Sequence, residues 1–537
     1  MKTISFLLLV FIPFLAIAQS WTTYPYHEEG AVLYFPEDEG YHPAEPIEWW
    51  YTNARVTGQT TGTDYSFMLT YFYYPAFTWQ GFRILNLANE DTGVFYDETL
   101  PATYPVLAQD HLEITANVGF TGSTTETWAT KTDGQGNLIP WEYHLSASGT
   151  YGALELDYKA LKRPLMVGGT GFLNQGANNY TYYYSQTLVE VTGTLTFDGF
   201  TEPVSGIAWI DRQFGDFNPN IGEPYEWFSL QLSNGMDINL WNVFTFENQI
   251  PDTSTYRIFT AYVDDSTTVW NSDFGLERLA FDWSADGEVC YSQKWRFTSD
   301  ALDLDLIMTV NHPDQEVTLP FRFYEGSTNI EGTVGGQPVT GQGFAELLHQ
   351  YENPQIGILA PQAGNPWDPS QPISWSLLNP DDGRAVYYDV AVSNDDKTTW
   401  TTIAEGLTET EFLWNATGWP GDSLYWFRIT GSSIDGILSG TAETETAFSI
   451  LSGTVALPAA PIVRIFPNPA SGRVVIQSDE GQWLEVRLHD ASGQFLRKVA
   501  GVSPLKLDLQ NLAEGIYWLS IQNQQGIRWE KLLLQKK

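Results

Sequence analysis

Two short stretches concentrate the side chains best suited to acid–base work. In "EPIEWWYTNARV", residues 45–56, the carboxylate of Glu48 stands directly before Trp49, Trp50 and Tyr51. In "GIAWIDRQFGDF", residues 206–217, Trp209, Asp211, Arg212 and Phe214 crowd together ahead of Gly215. A carboxyl group can exchange a proton or accept the fork of an arginine. For Glu48 the pattern reads as a carboxylate locking an arginine, with Arg212 and Arg55 as the candidate partners, and a Glu48–Arg212 pair would tie two halves of the fold together. Asp211 beside Arg212 and near a glycine reads likewise as a buried salt bridge at a strand end. Other chemistries find little support. "GGTGF" at 168–172 lacks the lysine and the strand–loop–helix setting of a phosphate loop. Ser205 and Ser229 have no G-x-S-x-G elbow. No carboxylate pair stands out as a glycosidase dyad. Seven histidines show neither H-x-x-x-H nor H-E-x-x-H spacing, so neither a metal nor another cofactor is expected.

These residues are carried by strands. Successive side chains of a strand point to opposite faces, so Trp49 and Tyr51 share one face while Glu48 and Trp50 share the other. Rings on both faces require burial on both. In a barrel one face lines the interior, and in a tandem of barrels the other can pack on the sister. One arrangement has Trp49 and Tyr51 line a compartment while Trp50 and Glu48 meet the sister half; the pattern does not settle which pair faces the cavity. Alternation recurs along the chain, as in Val189, Val191 and Leu195 against Glu190, Thr192 and Thr196. An all-β chain of sandwiches or barrels follows. Glu48-Trp49-Trp50-Tyr51 is echoed at Glu226-Trp227-Phe228-Ser229. Each motif precedes an apolar strand and then Phe82-Arg83-Ile84 or Tyr256-Arg257-Ile258. Residues 19–200 and 201–352 are therefore expected to form two related barrel-like halves.

The bulk composition bounds the setting. Lys2, the apolar run Ile4–Leu15 and Ala16-Ile17-Ala18 make residues 1–18 a secretory signal peptide, so the chain is expected to be exported. The 537 residues carry 65 acidic against 26 basic side chains, a net charge of −39, which repels nucleic acid and argues against it as a partner. Cys290 is the single cysteine, so neither an internal disulfide nor a thiolate metal cluster can form. Aromatic residues make up 15%, with 21 Trp and 28 Tyr, which suits both β-structure and the stacking of an apolar ligand.

Beyond residue 352 the texture changes to a Pro/Gly/Asn-rich edge. Short alternating strands follow within 353–453, with Trp375 early and Tyr425, Phe427 and Ile429 late; they resemble a fibronectin type III module. After a second linker, "SGTVALPAAP", residues 461–537 resemble the type A C-terminal sorting domain of the type IX secretion system of Bacteroidetes. That resemblance rests on Phe466-Pro467-Asn468-Pro469, Asp490 with Gly493, Gly515-Ile516-Tyr517 and Lys536-Lys537. It implies the type IX secretion machinery as a partner, and a chain released or held at the outer surface.

Residues 36–351 resemble the AttH family, a tandem lipocalin-like fold that includes carotenoid 1,2-hydratases (hydroxyneurosporene synthases). Glu48-Trp49-Trp50-Tyr51, with His42-Pro43 upstream, matches its E-W-W-Y signature, and Trp209-x-Asp211-Arg212-Gln213-Phe214-Gly215 its W-x-D-[RH]-x-[WF]-G signature. The resemblance implies that Asp211 protonates an isolated alkene. That role asks for a carboxyl kept neutral by apolar surroundings, with aromatic faces steadying the cation. It also implies that Trp49, Trp50, Tyr51, Trp209 and a Tyr182-x-Tyr184 pair line the ligand site. Tyr182 and Tyr184 stand where the hydratases carry His-x-Trp, a departure from the pattern. Two functions are open: a hydratase- or isomerase-like enzyme acting on an isoprenoid or polyene, or a non-catalytic binder of a hydrophobic small molecule at the cell surface.

Overall fold

A computed structural model describes residues 21–450 and 463–536, apart from 76–77, 122–123, 218–221, 362–365, 369–370, 421–422, 479–482, 491–493 and 524–525. The expected signal peptide, the "SGTVALPAAP" linker, Gly493 and Lys537 lie outside the described residues. Apart from one short 3-10 turn at Glu37–Glu39, every named element is a strand.

The first sheet closes on itself. Ten antiparallel strands follow one another as Asn179–Phe197, Phe200–Asp216, Ile47–Gly58, Asp64–Tyr73, Gly81–Asn89, Val94–Leu107, Glu113–Val118, Thr124–Thr132, Leu138–Ser148 and Gly152–Ala160. The last pairs back onto the first from Val189↔Ala160 to Phe197↔Gly152. The closing strand is 19 residues long and carries a β-bulge between Gln186 and Val189. Beyond the bulge it zips the barrel shut; before it, the strand pairs with Leu165–Met166 and Phe172–Gln175 instead. Such a bulge lets one strand serve two surroundings by bending and re-aiming its side chains. The expected change of half at residue 200 falls inside this hairpin, because Phe200–Asp216 continues the ladder with the Glu48 strand as far as Gly215. Trp50, Tyr71, Trp128, Tyr143 and Tyr158 fill the interior, so this barrel is a packed core.

A second antiparallel sheet runs Thr267–Asn271, Arg257–Asp264, Asp237–Val243, Tyr225–Leu232, Gln337–Leu347, Phe323–Val334, Leu304–Val310, Cys290–Ser299 and Gly275–Trp283. It curls round its own core of Phe228, Trp295, Phe297, Leu306, Met308 and Tyr324, while its two end strands share no ladder among the described residues. A third core cluster draws from both sheets at once: Tyr51, Met68, Ile84, Tyr183 and Trp209 from the first, and Trp227, Trp241, Ile258, Phe323 and Phe344 from the second. This seam explains the rings on both faces of residues 49–51. Trp50 points into the first barrel, and Trp49 and Tyr51 point into the seam.

A sandwich continues the first compact unit. Ile356–Ala360, Ile373–Leu377 and Glu411–Phe412 form one sheet; Tyr387–Ser393, Thr401–Leu407, Leu424–Ser432, Ser439–Glu443 and Phe448–Ser449 form the other. Trp375, Val390, Tyr425, Phe427 and Ile429 are buried in it, following the expected alternation. The second compact unit spans residues 418–423 and 449–537. It is a small two-sheet sandwich around Val474, Ile476, Val486, Leu488, Leu519 and Leu532.

Candidate functional site

Asp211 lies in the Phe200–Asp216 strand with Tyr51 as its partner on one side and Ser185 on the other. Residues opposite each other on a ladder share a face. Asp211, Trp209 and Gln213 therefore look into the seam together with Trp49, Tyr51, Asn53, Tyr183 and Ser185. Asp211 is 4% exposed. Its Oδ1 accepts hydrogen bonds from Ser185 Oγ at 2.5 Å and Trp209 Nε1 at 2.7 Å, and its Oδ2 accepts from the Tyr183 hydroxyl at 2.7 Å. The sister sheet completes the arrangement: Trp227 Nε1 at 3.0 Å and Asn239 Nδ2 at 2.7 Å both donate to the Tyr183 oxygen.

All of these donors are neutral, and among the described residues no basic side chain pairs with Asp211. Burial pushes its carboxyl up from 3.8 to about 7, against the pull of the three hydrogen bonds, with the charge of Glu346 adding a smaller push. The aspartate is thus poised to hold and release a proton near neutral pH.

Two further carboxyl groups face the same seam from the second sheet. Glu325 and Glu346 are direct partners on adjacent strands. Tyr51 donates to Glu325 Oε1 at 2.7 Å across 274 residues of sequence, and Asn53 Nδ2 donates to the Tyr51 hydroxyl at 2.8 Å. Tyr225 donates to Glu346 Oε1. Burial drives the Glu325 carboxyl well above the usual range, with the neighbouring Glu346 charge next in effect. Burial also raises Glu346, but hydrogen bonds from Tyr225 and Glu325 hold it back. Asp211, Glu346 and Gln213 line a hollow of about 20 Å³ whose aromatic wall is Trp49, Tyr51, Tyr183, Tyr225, Trp227 and Trp241. That is room for one water molecule. Trp49 and Tyr225 also wall a neighbouring recess beside Gln175 and Phe217. Among the described residues no group of three or more His, Cys, Asp or Glu side chains is arranged to hold a metal.

The sequence-derived residues divide between the two faces. Asp211, Trp49, Tyr51 and Trp209 meet at the seam. Glu48, Trp50, Arg212, Tyr182 and Tyr184 do not. Glu48 and Arg212 do form the expected buried pair, but on the barrel side. Arg212 also reaches the carbonyls of Glu39 and Gly40, lies 4.0 Å over the Trp50 ring, and leaves Asp211 unpaired. The His42 backbone N–H donates to Glu48 Oε1 at 3.2 Å, and its ring stacks on Phe214 at 3.5 Å. The pair therefore clasps residues 39–42 to the first barrel and does not tie the halves. Arg55, the other candidate, does cross between halves, donating to Asn329 Oδ1 at 2.9 Å.

Tyr182 stacks on Phe214 and Tyr184 meets Phe35 edge-on, both away from Asp211. Tyr183 takes the seam position instead, and the bulge is the reason. A regular ladder continued from the Phe197↔Phe200 end would set Asp211 opposite Gln186, on the face of Tyr182 and Tyr184. The extra residue at the bulge slips the pairing to Ser185↔Asp211 and exchanges the faces.

The Glu226 echo is structural in the same way as Glu48. Glu226 pairs with Arg278, and His349 stacks on Phe244 at 3.6 Å, just as His42 stacks on Phe214. Another buried carboxyl, Glu39, is also raised to about 7 by burial. It accepts from Tyr24 at 2.9 Å and Tyr143 at 2.5 Å on the core of the first barrel, away from the seam. Sequence reasoning missed Tyr183, Ser185, Glu325 and Glu346. A signal for the last two was present: they lie at equal distances on either side of the Gly335-Gly336 turn.

Residues 26–351 match the family model described as AttH-like, and residues 464–535 match that of a secretion system C-terminal sorting domain. The chain is similar to kievitone hydratase from Fusarium solani subsp. phaseoli, at 22% identity over 317 residues that cover 56% of this chain and 82% of that protein. Among solved structures it is similar to an AttH-assigned protein from Nitrosomonas europaea, at 21% identity and a TM-score of 0.48, over 60% of this chain and 98% of that one. Kievitone hydratase from Nectria haematococca aligns at 20% identity and a TM-score of 0.46, over 59% of this chain and 92% of that one.

Proposed function

The chain belongs to the AttH-like family over residues 26–351, and from that premise and the seam site we propose that it is a hydratase-like acid–base enzyme acting on an isoprenoid-type alkene. The observation that carries this reading is the state of Asp211, a buried carboxyl with three neutral donors, no cation, and a pKa of about 7. At pH 7 an aspartate at 3.8 would be protonated roughly once in a thousand molecules, whereas one near 7 is protonated about half the time. An ionised carboxylate has no proton to give, so only the neutral form of Asp211 can protonate an alkene carbon. The cation that forms is tertiary in a trisubstituted isoprenoid alkene. Trp49, Trp227 and Trp241 line the hollow and supply aromatic surroundings that can steady such a cation. Similarity to a protein named as a hydratase supports water, rather than a second carbon, as what then adds.

The first barrel's interior is filled, and the seam hollow holds about one water. On this reading an alkene is seated at the seam only with displacement of the Trp49 and Tyr225 side chains, the wall shared with the outer recess. The sorting domain marks the chain for export, so its substrate is met outside the cytoplasm, with the protein released or surface-held.

The test is incubation with prenylated phenols, squalene and a linear polyene in ¹⁸O-water, followed by mass spectrometry of the products. The wild type is expected to yield a labelled tertiary alcohol from at least one of them. Asp211→Asn is expected to lower the rate by about 100-fold or more while retaining the bound alkene. No labelled product from any of these alkenes, or wild-type rates in the variant, would overturn the reading.

A further inference from the structure

Protonation of an alkene is half of a hydration. The other half needs a water molecule within reach of the cation and a base to accept its proton. The seam offers a second carboxyl group on the hollow that Asp211 lines. Glu346 lines the same water-sized space, and Tyr225, donating to its Oε1, fixes its orientation.

The strand beside it explains how Glu346 can stay ionised there. Glu325 is its direct ladder partner and is 2% exposed. Two adjacent buried carboxyl groups cannot both carry charge, so the pair shares one proton. Oε1 of Glu325 already accepts from Tyr51, and its buried Oε2 has no donor aimed at it among the described residues. An Oε2 that itself carries the proton and donates to Glu346 satisfies both side chains. Among the described residues, Tyr51, Tyr183, Tyr225 and Asp211 are the titratable groups that border the pair at the seam, and Tyr324 lies next to Glu325 in its strand. All four tyrosines are held neutral, raised well above their usual value mainly by burial.

We propose that Glu346 is the base that takes a proton from the attacking water, and that Glu325, protonated, is the residue that positions it. This deepens the hydratase reading and rests on it. Asp211 gives its proton to one alkene carbon as the π bond breaks. The water oxygen forms a C–O bond to the resulting cation, and one water proton passes to Glu346. Return of that proton to Asp211 through the hollow restores the resting state. The sum is alkene plus water to alcohol, with no redox change.

The test separates the two halves. With the prenylated phenol or other alkene converted by the wild type, Glu346→Gln in D2O is expected to form alcohol about 100-fold more slowly. Deuterium should still wash into the recovered alkene, because Asp211 still delivers a deuteron and the cation re-forms an alkene by losing a light proton from the same carbon or from a neighbouring one. Loss of both exchange and hydration, or of neither, would overturn the role of Glu346. An Asp211→Asn variant that still exchanges would overturn the hydratase reading itself. Infrared spectroscopy without substrate reads the shared proton. At pH 8 the wild type and Asp211→Asn should both show the C=O stretch of a protonated carboxyl that Glu325→Gln removes, and its persistence in Glu325→Gln would refute the pairing. Glu325→Gln, which keeps a neutral donor beside Glu346, should retain hydration within a few-fold, whereas Glu325→Met should lose it. Equal loss in both would refute the positioning role. Near-UV circular dichroism on each variant separates these effects from misfolding.

Discussion

Replacing Asp211 with asparagine tests the site without any substrate, through stability. The folded protein holds this carboxyl at about 7 against 3.8 in the open chain, so the fold binds that proton more tightly than the unfolded state does. A raised carboxyl contributes fully below pH 3.8, and its contribution falls away as pH climbs through about 7. By pH 8 the ionised form is about 4 kcal/mol less favourable in the fold than in the open chain. Asparagine has the same shape and no charge to desolvate. It does present an amide N–H₂ to one of the donors now aimed at the carboxylate, at a cost of about 1 kcal/mol. The variant should therefore exceed the wild type by about 3 kcal/mol at pH 8 and come level with it at pH 4.5, where ionisation of the open chain already costs the wild type about 1 kcal/mol. Urea unfolding at both values, followed by near-UV circular dichroism of the seam tryptophans, measures the difference. Glu39 and Glu325 also titrate abnormally, but they do so in both proteins, and the wild-type-minus-variant comparison largely cancels them. An asparagine variant weaker by the same margin at both pH values would refute the reasoning. Asp211 would then be a structural anion stabilised by its donors. The expected gain is the familiar cost of keeping a reactive group in an unfavourable place.

Two other substitutions separate chemistry from architecture. Arg212→Met leaves Glu48 buried without its guanidinium, with only the His42 ring beside it, and should destabilise the fold by about 3–5 kcal/mol, while the pH dependence of turnover in the remaining folded protein stays unchanged; a shifted pH limb would implicate the clasp in the chemistry. Tyr183→Phe removes a hydrogen bond that holds the Asp211 carboxyl down, so the limb along which kcat/KM falls with rising pH should move upward from about 7. A limb that stays in place or moves downward would show that Asp211 is not the group being titrated.

Much of the molecule is legible from its residues, because local chemistry acts over short distances. Alternation marked the strands, the aromatic pair of faces at Trp49, Trp50 and Tyr51 required burial on both sides, and the Glu48–Arg212 pair followed from residue type. Even the Glu325–Glu346 pairing was recoverable. Gly335 and Gly336, at φ +57° and +69°, make a two-residue hairpin turn whose Val334↔Gln337 closure sets every later pair, including Glu325↔Glu346. What alternation cannot supply is a sign. A period of two separates two faces without saying which is inward, so Trp49 and Tyr51 rather than Trp50 and Glu48 meet the sister half. Nor does it register a bulge, and the single extra residue between Gln186 and Val189 put Tyr183 beside Asp211 in place of Tyr182 and Tyr184. The site itself belongs wholly to the tertiary structure. Tyr51 reaches Glu325 across 274 residues only because two curled sheets press their outer faces together. The same contact buries Asp211 and so raises an ordinary aspartate carboxyl to about 7.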